Sequence, residues 1–174
     1  MVLKKGMVHI YTGNGKGKTT AAVGLGIRAL GAGLKVYMIQ FVKGVISNEF
    51  KVLSSLNDFT FVQFGRGVFI SKNSVEKIDV DIAHKGFSHA REVISSGLYD
   101  MVILDEINIA IDYGLLSLSE VLDLIKSKPE HVELVLTGRN APSELIEHGD
   151  IVSEILDIKH PYSRGVSNRR GVDV

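Results

Sequence analysis

The chain has 174 residues, of which 45% are hydrophobic, and its 20 basic and 20 acidic side chains cancel to a net charge of zero. This length predicts one domain, residues 1–174, with a substantial core, and the balanced charge argues against nucleic-acid and membrane-surface partners. Cysteine is absent, which excludes disulfides and thiolate chemistry, and there is neither a signal peptide nor an apolar run of membrane-spanning length. The six histidines lack metal-ligand spacing. We therefore expect a cytoplasmic protein without a structural metal.

Strand-like apolar runs alternate with helix-like segments along the chain. The predicted strands are residues 8–11, 35–42, 60–64, 101–104, 134–137 and 151–158. The predicted helices are residues 19–32, 47–56, 75–96, 118–126 and 142–148, with glycines near their ends as stops. Residues 64–74 and 159–174 are predicted to be irregular, and we expect both to be mobile until a ligand binds. The alternation is typical of an α/β protein with a parallel sheet flanked by helices.

A glycine-rich turn follows the first predicted strand and opens the first predicted helix. Such a turn directs backbone N–H groups at phosphate oxygens, Lys18 reaches the outer phosphates, and the Thr19 hydroxyl can ligate Mg²⁺. The residues expected to bind the nucleotide are Thr12, Gly13, Asn14, Gly15, Lys16, Gly17, Lys18, Thr19 and Thr20. The usual pattern, G-x-x-x-x-G-K-[ST], requires glycine at position 12, where this chain has threonine, with the glycine one place later. We therefore predict an ATP-binding phosphate loop of unusual shape at its entry; the alternative is an ordinary glycine-rich turn.

Two carboxylates, Asp105 and Glu106, follow the apolar strand predicted at residues 101–104. Strands often end in acids that are merely solvated, but after a phosphate loop with Thr19 at the metal position we expect a Mg²⁺ site formed by Thr19, Asp105 and Glu106. If the strand continued, the two acids would point in opposite directions, one to the metal and the other to the acceptor side. The sequence leaves open which of them contacts Mg²⁺.

Other motifs are informative by their absence. There is no Asn-Lys-x-Asp motif, so GTP is disfavoured, and no Ser/His/Asp arrangement can be argued from spacing. Arg28, on the helix after the loop, is a candidate nucleotide contact, although the sequence slightly favours a solvated surface charge.

Five sequence blocks together resemble those of one family. They are residues 13–22 (GNGKGKTTAA), 40–44 (QFVKG), 104–108 (LDEIN), 136–146 (LTGRNAPSELI) and 159–161 (KHP). In this order they resemble the ATP:corrinoid adenosyltransferases of the cobalamin pathway, which share the displaced first glycine. The resemblance covers nearly the whole chain. It implies a homodimeric, RecA-like phosphate-loop NTPase fold that uses MgATP to transfer the 5′-deoxyadenosyl group to a Co(I) corrinoid, leaving inorganic triphosphate.

The implied chemistry suits a chain without an identifiable general base. Co(I) is itself the nucleophile, so the protein has to fix the ribose C5′ opposite cobalt and neutralise the departing triphosphate. The candidate catalytic residues are Lys18, Thr19 and Glu106. A reductase that supplies Co(I) is an expected partner, and the family's reversed triphosphate orientation is compatible with the altered loop entry.

The chain departs from the family at the corrin-binding loop. Several members carry an aromatic pair with tryptophan after the third strand, whereas this chain has no tryptophan. Phe69 is the candidate that packs against the corrin, with Val68 and Ile70 beside it; equally, Phe69 packs the loop onto the core. The preferred corrinoid stays open. A phosphoryl-transfer kinase or ATPase and a non-catalytic nucleotide-binding module are the alternative functions.

Overall fold

A computed structural model describes residues 3–43, 48–68, 70–167 and 169–172. The strands are β1 (Val8–Thr12), β2 (Val36–Phe41), β3 (Phe59–Phe64), β4 (Met101–Asp105), β5 (Glu133–Thr137) and β6 (Ile151–Glu154). The α-helices are α1 (Lys18–Gly31), α2 (Asn48–Leu53), α3 (Lys77–Ser96), α4 (Ile107–Asp112), α5 (Leu118–Ser127) and α6 (Ser143–Glu147). Short 3₁₀ turns lie at Lys72–Ser74 and Pro161–Arg164.

The six strands form one parallel sheet in the order β3-β2-β4-β5-β1-β6. Every residue of β2 and β4 is buried, as expected for central strands covered on both faces. Strand β5 separates β1, which leads into the phosphate loop, from β4, which ends at the acids. In a parallel sheet all carboxyl ends lie at one edge, so the loop and the acids meet there. The predicted α/β class with a parallel sheet is confirmed.

Helices cover both faces of the sheet. On one face, α1 and α2 pack on alternate strand residues such as Met38 and Ile103. On the other, buried side chains of α3 to α6 pack on the intervening residues, including Ile39 and Leu104. In the part of the chain that the structure describes, no helix is long and apolar enough to cross a membrane.

Two elements differ from the sequence prediction. Helix α4 was not predicted, because its sequence, INIAID, is rich in β-branched residues that favour strands. The strand predicted at residues 151–158 ends at Glu154, since that residue pairs with Thr12 at the end of β1. The N–H of Ile155 still donates to the Thr12 carbonyl oxygen at 2.9 Å, but β1 ends there, and the Ile155 carbonyl oxygen accepts from Gly15 in the phosphate loop.

Candidate active site

The phosphate loop begins where β1 ends, and its backbone explains the threonine at position 12. Thr12 is a buried strand residue whose hydroxyl accepts a hydrogen bond from the N–H of Ala141 at 3.2 Å. The chain turns at the next residue, Gly13, with a φ of 92°, and again at Gly17 with a φ of 118°. These left-handed angles favour glycine. The turn at the loop entry thus starts one residue later than in the usual pattern, and the side chain at position 12 ties the loop to the segment after β5.

Lys18 is folded into the loop. Its ammonium group donates hydrogen bonds to the carbonyl oxygens of Gly13 and Gly15, each at 2.7 Å, and the residue is only 8% exposed. Burial lowers the pKa of Lys18, and the nearby carboxylate of Glu106 opposes this shift. Arg139 also contributes to the lowering, so a second cation faces the same region. A positive charge is therefore held inside the loop, where an anionic ligand would neutralise it.

The segment after β6 packs directly against the phosphate loop. The N–H of Gly15 donates to the carbonyl oxygen of Ile155 at 2.7 Å. A Cβ atom at position 15 would lie 2.5 Å from the carbonyl oxygen of Leu156, so this close approach requires glycine. Lys16, which is exposed, donates to the carbonyl oxygen of Val172 at 3.0 Å. The C-terminal segment thus adjoins the loop, and its expected mobility without ligand stays a prediction.

Asp105, the last residue of β4, is completely buried and accepts three hydrogen bonds. Its Oδ1 accepts from the hydroxyls of Thr19 at 2.9 Å and Thr137 at 2.6 Å. Its Oδ2 accepts from the amide of Gln40 at 2.6 Å. The structure therefore brings Thr19 and Asp105 together from different elements, as the sequence pattern indicated.

Glu106 does not continue the strand, so the expected opposite orientation of the two acids does not apply. Its φ of 61° turns the chain into α4, and its N–H donates to the Thr137 hydroxyl at 3.0 Å. Its carboxylate lies 3.3 Å from the Lys43 ammonium group, with 19% of the side chain exposed. Burial, and then the charge of Asp105, raise the pKa of Glu106, whereas Lys43 lowers it.

Lys43 reaches Glu106 because the backbone bends sharply after β2. Val42 has a φ of 67°, which is a rare conformation for a β-branched residue, and the Lys43 N–H donates to the Phe41 carbonyl oxygen at 2.7 Å. Burial lowers the pKa of Lys43, but Asp105 and Glu106 outweigh it and leave the pKa raised. Strain of this kind persists where the surrounding structure holds it, and it is common at functional sites.

The oxygen atoms at this edge fit a Mg²⁺ ion. Thr19 donates its hydroxyl proton to Asp105, which leaves lone pairs on its Oγ1, and Glu106 adds a partly accessible carboxylate. Mg²⁺ prefers oxygen ligands and commonly uses one or two protein groups, with phosphate and water oxygens completing its shell. Within the described residues no three His, Cys, Asp or Glu side chains cluster as a metal cage, which is compatible with such an open site.

The structure does not bring every candidate residue to the phosphate loop and the two acids. Arg28 is exposed in the last turn of the 14-residue helix that Lys18 begins, so it lies away from the loop. Phe69 lies outside the described residues. Of its expected neighbours, Val68 is 53% exposed, whereas Ile70 is 5% exposed and contributes to the core. Ile70, which was expected as an apolar neighbour of Phe69, thus packs in the core in this structure.

Three residues of the site were missed in the sequence reasoning: Gln40, Lys43 and Thr137 each contact one of the acids or its backbone. Two signals were available. Gln40 interrupts the otherwise apolar central strand β2. Thr137 is the last residue of β5 and follows a run of buried residues in that strand. Each is the kind of polar group that needs a partner when it is buried.

The fold and the site together define a nucleotide-binding protein of the phosphate-loop class. A glycine-rich loop joins β1 to α1, and its threonine contacts the acid at the end of β4. Comparison with known proteins narrows this class. Residues 4–174 match the family described as ATP:corrinoid adenosyltransferase BtuR/CobO/CobP. The chain belongs to this family.

The chain is also similar to individual proteins. The chain is 33% identical over 170 residues to the corrinoid adenosyltransferase CobA of Salmonella typhimurium, covering 98% of this chain and 86% of that protein. It is 36% identical over 170 residues to the uncharacterized protein all2391 of Nostoc sp., covering 90% of this chain but only 45% of that longer protein. Among solved structures, the KaiC-like protein PH0186 of Pyrococcus horikoshii superposes with a TM-score of 0.58 at 17% identity, covering 87% of this chain and 73% of that chain. This last likeness concerns the fold alone.

Proposed function

We propose that this chain transfers the 5′-deoxyadenosyl group of ATP to the Co(I) centre of a corrinoid and releases inorganic triphosphate. The observation that carries the proposal is the 2.9 Å hydrogen bond between Thr19 and Asp105. Lys18, the residue before Thr19, is held in the same phosphate loop. The chain matches the family over residues 4–174. This arrangement supplies a triphosphate site. The corrinoid supplies the nucleophile.

The bonds that form and break in this reaction determine which charge the protein has to stabilise. The electron pair of Co(I) forms the bond to the ribose C5′, and the pair of the broken C5′–O bond departs with the α-phosphate oxygen. Negative charge therefore develops on the triphosphate as it leaves. Donors and cations that already point at that position lower the barrier, because they need no reorganisation during the reaction.

Lys18 is the cation best placed to meet this charge. Its ammonium group donates hydrogen bonds to two loop carbonyl oxygens. We expect it to exchange these contacts for phosphate oxygens when ATP binds, while Lys43 and Arg139 add positive potential from the neighbouring strand ends. Both of these cations contribute to lowering the pKa of Lys18, which places them within electrostatic reach of it.

We further propose that ATP binds as its Mg²⁺ complex, with Thr19 and Glu106 as the protein ligands and Asp105 holding the Thr19 hydroxyl. The metal would neutralise phosphate charge and fix the triphosphate in place. Asp105 is less suited to direct ligation, because both of its oxygens already accept hydrogen bonds from hydroxyl and amide donors.

The resemblance also supports finer proposals about the setting of the reaction. We propose that the protein acts as a homodimer in the cytoplasm and receives its Co(I) corrinoid from a separate reductase. We also retain Phe69 as the proposed residue under the corrin, and Arg28 as a proposed nucleotide contact that would require a ligand extending beyond the loop.

The products of the reaction test the proposal. We expect incubation with MgATP and a chemically reduced corrinoid to yield triphosphate and a light-sensitive cobalt–carbon compound in equal amounts. Neither ADP nor AMP should accumulate, since all three phosphates leave together. ADP formed in proportion to turnover, or ATP consumption that does not depend on the corrinoid, would instead identify a kinase or an ATPase.

A further inference from the structure

Gln40 is an anomalous residue in the centre of the sheet. It is 0% exposed in β2, a strand whose other residues are apolar or aromatic. Burying an amide in such surroundings is costly unless its polar atoms are hydrogen-bonded. Here the Nε2 of Gln40 donates to Asp105 at 2.6 Å, and its Oε1 accepts from the Nε2 of Gln63 at 2.9 Å. A line of polar contacts thus crosses from β3 through β2 to β4 inside an otherwise apolar layer.

The direction of these hydrogen bonds is fixed by chemistry. An ionised carboxylate only accepts hydrogen bonds, so Gln40 has to turn its NH₂ group toward Asp105. Its oxygen then faces β3, where the NH₂ group of Gln63 meets it. The same reasoning applies on the other side of Asp105, where the hydroxyls of Thr19 and Thr137 both donate to Oδ1. Asp105 is therefore held from both oxygens and has one orientation.

We propose that Gln40 is a positioning residue for the metal site: it fixes the Asp105 carboxylate so that the Thr19 hydroxyl donates inward and turns its lone pairs toward Mg²⁺. Gln63 supports Gln40 in this orientation. The inference rests on the proposed function only in requiring that ATP binds with Mg²⁺. Gln40 itself is completely buried and does not contact the ligand, so its effect on the metal passes through Asp105 and Thr19.

The test compares ATP binding with and without Mg²⁺. We choose Gln40→Met, which keeps the length of the side chain but cannot donate to Asp105, and titration calorimetry on the full chain without corrinoid. Groups that orient metal ligands typically contribute about 10- to 100-fold to metal affinity. We expect Gln40→Met to weaken Mg²⁺-dependent ATP binding by about 10-fold or more, and to leave Mg²⁺-free ATP binding within about 2-fold of wild type.

A matched control separates positioning from general damage to the core. Ile39→Val removes one methylene from the adjacent residue of β2, which is also 0% exposed but has no polar contact with Asp105. We expect its Mg²⁺ dependence to equal that of wild type. Should Gln40→Met fail to fold, Gln63→Met replaces it, since this change leaves Gln40 in place without its support and should produce a smaller shift in the same direction.

A double-mutant cycle tests the route of the effect. In a Thr19→Ala background the metal has lost the hydroxyl that Asp105 orients, so adding Gln40→Met should cause no further loss of Mg²⁺ affinity. Additive losses would overturn the proposal, as would unchanged Mg²⁺ dependence in the single variant or equal losses with and without the metal. If wild type itself binds ATP equally well without Mg²⁺, both this inference and the proposed metal site are overturned, whereas failure of the variants alone leaves the proposed function standing.

Discussion

Replacing Lys18 by alanine tests the central electrostatic argument. Lys18 is only 8% exposed, and its ammonium group lies 2.7 Å from each of two carbonyl oxygens. At an effective dielectric constant of about 20, one unit of charge about 4 Å from a cation is stabilised by about 4 kcal/mol. The triphosphate is already anionic before reaction, so only the charge that develops on the leaving oxygen affects kcat. We therefore expect about 10²- to 10³-fold loss of kcat and a higher KM for ATP.

The assay follows formation of the cobalt–carbon bond from MgATP and a chemically reduced corrinoid, together with a thermal melt to verify folding. Lys85→Ala is the control, because it removes an exposed lysine of α3 that is not among the expected nucleotide-binding residues. Its loss of kcat should stay below about 10-fold, since an exposed charge is screened. A Lys18→Ala variant that folds and retains kcat within about 3-fold of wild type would refute the proposed role of the loop.

Two further predictions concern Glu106 and Phe69. Burial and the charge of Asp105 raise the pKa of Glu106. As the pH falls, MgATP binding should therefore begin to weaken at a higher pH than it would if this glutamate had its ordinary pKa. Glu106→Gln should remove this pH dependence and increase the Mg²⁺ requirement. Because the folded chain holds this proton more tightly than the unfolded chain, the free energy of unfolding decreases as pH rises between the two pKa values. Across this range the melting temperature should therefore change with a more negative slope against pH in wild type than in Glu106→Gln; equal slopes would contradict this expectation. Phe69→Ala should weaken use of the corrinoid, measured as KM, while ATP affinity stays within about 2-fold; equal losses for both substrates would indicate a folding defect.

If Phe69→Ala has no effect, the corrin-facing role belongs to another residue. Phe87 is an aromatic residue of α3, but it is 4% exposed and belongs to the core. Its side chain therefore packs inside the protein, where a corrin would not reach it. The exposed Val68 and the C-terminal segment beside the phosphate loop are therefore the better positions for the next substitutions.

Local sequence patterns were sufficient for the phosphate loop and for most of the secondary structure. Glycines at positions 13 and 17 adopt the left-handed angles that their residue type permits, and the helix begins at Lys18, beside its predicted start. The apolar runs of β2 and β4 are buried along their whole length, as their composition predicted. The loop angles depend on the residue types at those positions, and apolar runs become buried wherever they pack, so the sequence alone predicts both.

The site around the acids required the tertiary structure. The sequence placed Asp105 and Glu106 at a strand end, but it could not reveal that Asp105 accepts hydrogen bonds from Thr19, Thr137 and Gln40. Those contacts depend on the order of strands, which brings residues 65 positions apart into hydrogen-bonding distance in the case of Gln40 and Asp105.

The unpredicted elements have the same physical origin. The β-branched residues of α4 favour a strand locally, yet the turn at Glu106 and burial of Ile107 and Ala110 against the sheet make the segment helical. Residues 155–158 have the composition of a strand, but β1 ends at Thr12: the N–H of Ile155 still donates to the Thr12 carbonyl oxygen, whereas the Ile155 carbonyl oxygen accepts from Gly15 in the phosphate loop. Composition determined which apolar runs of this chain are buried and where glycine lets its backbone turn. The pairing of distant strands decided which polar groups meet, because a buried polar group is stable only where the fold brings it a partner.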